Sequence, residues 1–300
     1  MTKIVIIGGT NFDLLATANN PIQLYDSNPG TLKKSYGGVG RNIAENMARL
    51  GLSPYFITVI GRDEVGQSMI VQGSNLGIHF DPINVEQTPT YLAVLDQDKD
   101  MVVAVAAMED VRHLTIAEIK KRDQLIKSSD MIVLDTNFSE DTMAYIFDTY
   151  KKPIHVDVIS TTKAQKIVPH YTSIHTLKMN IYEAISLSGI SYKEVEDVQN
   201  IGQFFINQGV KEVFITLGSK GAYHYDGSNH KSISTVHVEI ENTTGAGDAF
   251  FAGVLYAKIK HKDPLKCGVA AAIITLKDEK AVASFMSEEK LVQTMKEYNL

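Results

Sequence analysis

The chain has 300 residues, 44% hydrophobic and 21% charged, with 29 basic and 35 acidic side chains for a formal net charge of −6. At this length folding buries roughly 75% of the unfolded surface without covalent staples, and the single Cys267 excludes a disulfide framework or a cysteine-built zinc site. The acidic balance excludes a basic footprint for a nucleic-acid polymer, so a cytosolic enzyme acting on a small molecule is expected.

Met1-Thr2-Lys3 leads directly into Ile4-Val5-Ile6-Ile7-Gly8-Gly9, a run too short for the core of a secretion signal. No stretch approaches the ~20 apolar residues of a membrane span, and Tyr298-Asn299-Leu300 is no peroxisomal address. A cytoplasmic location without membrane contact is therefore expected. Residues 3–8 read as the first strand, and 54–60, 130–135, 153–158, 172–178 and 211–217 as later ones, each closing in Gly, Asp, Asn or a polar cluster. A 3.6-residue period predicts helices over 43–50, 62–76, 139–150, 195–208, 246–260 and 265–276. The alternation predicts an α/β fold: a mainly parallel sheet flanked by helices on both faces, with ligands beyond the carboxyl ends of its strands. Residues 14–36 and 79–108 lack helical period and read as a small β-sheet lid, and 221–240 as a hairpin turning at Gly227-Ser228-Asn229. Without a linker, repeat or low-complexity run, 1–300 reads as one domain carrying that lid.

Chemistry-bearing runs fall at the strand ends. After the first strand, Gly8-Gly9-Thr10-Asn11-Phe12-Asp13 places Asn11 and Asp13 where they can clamp hydroxyls, or where an aspartate merely caps a loop. Gly37-Gly38-Val39-Gly40-Arg41-Asn42 opens a helix. Its glycines, Gly38 among them, let backbone approach a ligand, and the Asn42 amide can both donate to and accept from a sugar hydroxyl or simply cap the helix. Ile43 stands where a dinucleotide fingerprint needs its third glycine, which counts against an oxidoreductase, and no GxxxxGK loop occurs. Asn180 and Glu183, three apart, can organise hydrated magnesium and phosphate, or form a capping box. Thr216-Leu217-Gly218-Ser219-Lys220-Gly221 is a strand end whose amides can line a nucleotide.

The strongest run is Thr243-Thr244-Gly245-Ala246-Gly247-Asp248, at the start of a helix. Free amides and the helix dipole there form an anion site. A carboxylate beside a bound anion makes sense when it faces a hydroxyl attacking that anion: Gly245, Ala246 and Gly247 neutralise a transferring phosphate while Asp248 takes the proton. The alternative is an Asp248 that only stabilises its own helix start while the glycines permit a turn; in either case the helix terminus is expected to keep Asp248 ionised.

Taken in order, these runs resemble the ribokinase-like, or PfkB, carbohydrate and nucleoside kinases over essentially the whole chain, lid included. The resemblance implies ATP as phosphate donor, Mg2+ organised by Asn180 and Glu183 (Glu183 through water), Asp248 as catalytic base and Thr216, Gly218 and Gly221 beside the nucleotide. Asp13 and Asn42 would hold the acceptor. Val39 replaces the lysine of a ribokinase. The run Ile43-Ala44-Glu45-Asn46-Met47-Ala48-Arg49-Leu50-Gly51, Thr90 to Asp96, Asp135-Thr136-Asn137 and Asp157 to Ala164 are closer to the pseudouridine kinases. By that resemblance Asn137, Ser160 and Lys163 touch the base or sugar, and the reaction phosphorylates the 5′-hydroxyl of pseudouridine. Another sugar or nucleoside, or a catalytically silent ligand-binding regulator, are the alternatives. Many members carry aspartate before the Thr-Thr pair, where it helps to bind a monovalent cation; Asn242 stands here and puts K+ activation in doubt. Met179 and Ala106-Ala107 are lesser departures, and the lid can double as a homodimer surface.

Overall fold

Every residue of β1 (Ile4–Ile7) is buried in the computed structural model, which describes residues 2–234 and 237–300, with the side chains of 195 and 196 excepted. Val5 and Ile7 join one apolar cluster while Ile4 and Ile6 join another, as successive side chains on a strand must. A strand apolar on both faces belongs inside a parallel sheet covered on each side. The chain continues through β2 (Asn11–Ala18), β3 (Gly30–Gly37), α1 (Val39–Arg49), β4 (Tyr55–Gly61), α2 (Glu64–Asn75), β5 (His79–Val85), β6 (Thr90–Leu95) and β7 (Met101–Ala107). Next come α3 (Ile116–Lys121), α4 (Asp123–Lys127), β8 (Met131–Asp135), α5 (Glu140–Thr149), β9 (Ile154–Asp157), α6 (Thr161–Ala164), β10 (Thr176–Asn180), α7 (Ile181–Ser188) and α8 (Val195–Asn207). The remainder is β11 (Glu212–Thr216), β12 (Ala222–Tyr225), β13 (His230–Ile233), α9 (Ala246–Ile259), α10 (Pro264–Leu276) and α11 (Glu288–Glu297).

Among the described residues the central sheet has nine strands in the order β13-β12-β11-β10-β9-β8-β1-β4-β5. It is parallel from β11 to β5, and the β12–β13 hairpin is added antiparallel. From β1 the chain moves outward through β4 to β5, then returns to β8 on the other side of β1. The crevice above such a reversal is where open α/β sheets take their ligands. One core packs α5, α7 and α8 on one face, and the other packs α1, α9 and α10 on the opposite face.

The smaller sheet runs β3-β2-β6-β7, with β2 parallel to β6 and the outer pairs antiparallel. Its extent corrects the lid boundaries. It begins at Asn11 rather than 14, and 79–85 is not part of it. His79–Val85 instead pairs along its length with β4, with Ile83 buried and Phe80 edge-on to Phe56 at 5.7 Å. The α2 helix before it supplies the crossover that a parallel neighbour needs, so the absence of a helix inside 79–107 was no sign of a separate sheet. The strand expected at 172–178 starts later, at Thr176, because Gln165–Ser173 winds as a 3-10 helix that buries Ile167 and Tyr171. The expected hairpin turn is held by Asp226, which accepts from the Ser228 and Asn229 amides; residues 235–236, toward its far end, lie outside the described residues. Among the described residues no helix is long and apolar enough to cross a membrane.

Candidate active site

Three strands of the central sheet send four polar residues to the same side. On β9, Val156 and Val158 enter the core of α5 and α8, so Asp157 between them looks at α9; on β10, Leu177 and Met179 do the same for Lys178. The parallel register sets Lys178 opposite Asp157, and their side chains form a buried ion pair at 2.8 Å. Asp135, ending β8, and Asn180, ending β10, share this face. The N-terminus of α9 comes down on it.

Gly245 precedes α9 in the left-handed region at φ 81°, where a Cβ would overlap the Ala281 carbonyl, so the turn that exposes the helix amides requires glycine. One turn on, Asp248 is buried. A Cβ on Gly247 would lie 2.9 Å from Lys178 Nζ, which places that ammonium directly under the anion loop. Because α1 packs on α9, Asn42 reaches across and donates through Nδ2 to Asp248 Oδ2 at 2.8 Å. Burial, reinforced by Asp157 and Asp135 against the pull of Lys178 and the Asn42 bond, pushes Asp248 up to about 7. Burial thus works against the helix-terminus stabilisation expected to keep this carboxyl ionised. For Lys178 burial pulls down, but Asp157, Asp248 and Glu183 outweigh it and hold the ammonium charged.

Across the anion loop from Asn42, Asn180 and Glu183 do form a capping box, with bonds of 2.7 and 3.0 Å, and burial raises Glu183 above the usual carboxylate range. Asn180 sits opposite Thr216 in register. Both line a cleft of about 1130 Å³ with Gly218, Gly221, Ala246, Gly247 and Lys178, backed by the apolar side chains of Val269 and Ile273. Of the residues expected beside a nucleotide, Asn180, Thr216, Gly218 and Gly221 thus share one cavity, and Glu183 is not in its lining. Asn180 and Glu183 supply oxygens only, the donor set a hydrated Mg2+ accepts. Among the described residues no three potential metal ligands cluster, so these residues fit the ion through water rather than as a protein cage. Before the Thr-Thr pair, the aspartate that the resemblance associates with a monovalent cation is replaced. Asn242 brings no charge, its Nδ2 donates to the Glu279 carbonyl at 3.0 Å, and its Oδ1 accepts from the Thr244 amide.

The acceptor side is knotted by Asp135. Buried at the end of β8, it accepts from the amides of Gly9 (2.7 Å), Gly40 (2.9 Å) and Asn137 (2.9 Å), tying together the loops after β1, β3 and β8. Asn11 donates to Asp13 at 2.6 Å on β2, and a side chain on Gly37 would collide with both. Gly38, at φ 98°, leaves no room for a Cβ beside the Gly9 carbonyl. Lys163 donates to Asn137 Oδ1 at 2.6 Å, whereas Ser160 caps α6 through the Lys163 amide at 3.4 Å, an ordinary structural bond. Asn11 and Asp13 at the start of β2, Gly38 and Asn42 at the start of α1, Asn137 after β8 and its partner Lys163 on α6 therefore sit on or beside the segments that Asp135 gathers. Asp135 and Asp157 open two of the runs that carry the resemblance, yet sequence reasoning gives no role to either or to Lys178. The signal for each is a charged residue at a buried strand position.

An anion loop at a helix start, a buried carboxyl beside it and a hydroxyl-binding loop cluster opposite together define a phosphotransferase with an alcohol acceptor. The model of the pfkB family carbohydrate kinases matches residues 1–288, and the chain belongs to that family. It is 36% identical over 256 residues to the pseudouridine kinase of Escherichia coli K12, covering 84% of this chain and 82% of that protein. A putative sugar kinase from Clostridium perfringens superposes with a TM-score of 0.91 at 30% identity, covering 99% and 96% of the two chains. Arabidopsis thaliana ribokinase complexed with ribose and ATP shares the fold at a TM-score of 0.82 and 21% identity, over 99% of each chain.

Proposed function

We propose that this kinase transfers the γ-phosphate of ATP to the 5′-hydroxyl of pseudouridine. The observation that carries the kinase reading is the Asn42–Asp248 bond, which fastens the acceptor-side helix to the base of the anion loop. The acceptor oxygen bonds the γ-phosphorus as the bond to the bridging oxygen of ADP breaks, and the hydroxyl proton passes to Asp248. The Gly245–Gly247 amides and the Lys178 charge below them stabilise the transferring group. Magnesium, when bound, neutralises the phosphate oxygens; Asn180 and Glu183 would hold its water shell. Asp13 and Asn42 hold the sugar, and the small sheet closes over it to exclude water. The similarity to the Escherichia coli pseudouridine kinase supports the acceptor, as does the Lys163–Asn137 pair, which offers donors to a base carbonyl.

ADP release across pseudouridine, uridine and ribose tests this reading. Pseudouridine should have the highest kcat/KM, by at least about tenfold, the discrimination a hydrogen-bonded base contact supplies. A better ribose or uridine rate would replace the acceptor and keep the kinase. No ADP formation with any of them would favour a silent binding protein. Rates should be the same in potassium, sodium or choline salts, because the Asn242 amide already bridges to Glu279. Asn242→Asp should make the rate depend on potassium, and a potassium requirement in the unaltered protein would refute the point.

The small sheet has edge strands β3 and β7, and on β7 Met101, Val102, Val103 and Val105 are exposed. An apolar edge strand of this kind pairs readily with another strand. We infer a homodimer through it. Light scattering should give twice the 33.1 kDa chain mass, and Val103→Lys should return the monomer.

A further inference from the structure

Arg41 has no part in the chemistry above, yet its side chain is only 14% exposed. Its guanidinium lies over the Tyr36 ring, 5.8 Å from the centroid, and pairs through Nη2 with Glu45 one turn along α1. The other Glu45 oxygen accepts from Arg49 at 2.8 Å, and Arg49 is anchored to the Ser284 carbonyl at 2.7 Å. Its Nη1 donates to the Tyr36 carbonyl and to Asn42 Oδ1, both at 3.0 Å.

That last bond decides how Asn42 meets Asp248. A carboxamide has an accepting face and a donating face. With Oδ1 held by Arg41, the face turned to Asp248 is Nδ2, and it donates to Oδ2 at 2.8 Å. Turned over, the amide would set its oxygen against the carboxylate. We propose that Arg41 is a positioning residue for the phosphoryl transfer: held by Glu45 and Tyr36, it fixes the Asn42 amide so that an N–H engages Asp248 Oδ2, leaving Oδ1 for the acceptor hydroxyl. The inference rests on the reading of Asp248 as the base. The charged groups facing Asp248 are Asp157 on β9, Lys178 on β10 and Asp135 on β8; those facing Arg41 are Glu45 and Arg49 on α1 and Asp13 on β2.

The test is the pH profile of kcat/KM for whichever acceptor is turned over, in the full-length protein. Arg41→Met should move the acid limb upward by about half to one pH unit, since Asp248 loses a donor that favours its charged form. It should lower kcat at neutral pH by about ten- to a hundredfold, with the KM for ATP within about twofold of the unaltered protein. Asn42→Ala should move the limb in the same direction, and adding Arg41→Met to it should change kcat/KM by less than about twofold, because the two residues act as one unit. Additive losses, or a rate lowered equally at every pH, overturn the inference. Arg41→Lys keeps the charge beside Glu45 without the fork, and carries the test if the methionine variant does not fold. An acid limb unmoved in Arg41→Lys, with kcat/KM within about twofold, also overturns it. Failure of the underlying reading looks different: the unaltered protein would then show no acid limb, or Asp248→Asn would remain active.

Discussion

Asp248→Asn lowers kcat by about 10²–10⁴-fold, the range a positioned general base supplies, while the Kd for ATP stays within about threefold. Nucleotide binding survives because the cleft that would hold it is built from Asn180, Thr216, Gly218 and Gly221, none of which Asp248 bonds. The substitution keeps the shape of the site and takes away the proton acceptor. Isothermal titration and a coupled ADP assay separate the two effects, and a variant with full turnover would sink the mechanism. In the unaltered protein kcat/KM should rise with pH through an inflection near 7, because burial and the facing Asp157 raise Asp248 to about that value. Stability carries the opposite signature. Between the unfolded value of 3.8 and about 7, the folded state keeps a proton on Asp248 that the unfolded chain has released. Folding stability attributable to this group therefore falls as pH rises across that window, and the deficit is fully present above it. Asparagine has no such penalty. Asp248→Asn should melt higher than the parent at pH 8, with the advantage shrinking toward pH 4. A residue that served only to cap α9 would show the reverse.

Asp248 also marks where sequence reasoning stops. The run Gly245-Ala246-Gly247-Asp248 locates an anion loop from local chemistry alone, because helix-start amides and an adjacent carboxyl are neighbours along the chain. Its protonation is not local. It depends on Asp157 and Lys178, which arrive from β9 and β10 and meet it only because parallel register and strand alternation turn both toward α9. The same division runs through the rest of the molecule. The alternating β1, β4 and β8–β11 and their helices were legible from apolar period, and the small sheet from its lack of one. The placement of β5 was not, since an edge strand of either sheet has the same pattern and only pairing with β4 distinguishes them. Asn180 and Glu183 show why a motif with two meanings is not settled by spacing: the capping box is real, and Asn180 also lines the large cleft beside the anion loop. Asn42 read as a ligand for hydroxyls, yet the structure commits its amide first to Asp248 and Arg41. Arg41 itself sits within a recognised run and still gave no sign of its bond.

Lys178→Met should be the most damaging single change to the molecule as a whole. Its ammonium is buried with Asp157 at 2.8 Å, and removing one member of a buried pair leaves the other charge uncompensated, at a cost of about 3–5 kcal/mol. The same ammonium lies beneath Gly247, where it would face the transferring phosphate, and the loss of one such preorganised charge lowers kcat by about 10²–10³-fold. The two effects can be separated. In the double variant Lys178→Met with Asp157→Asn the ion pair leaves no unpaired member, so most of the lost stability should return in denaturant unfolding. Activity should not return, because the positive charge under the anion loop is still missing. Recovery of both would make Lys178 a partner of Asp157 and nothing more. Recovery of neither would mean that the packing of β9 against β10, rather than charge, holds the floor of the site. The expected split, stability regained and turnover still lost, follows from a single placement. A lysine in an apolar parallel strand is tolerated because Asp157 stands opposite it in register, and it is useful because α9 begins directly above.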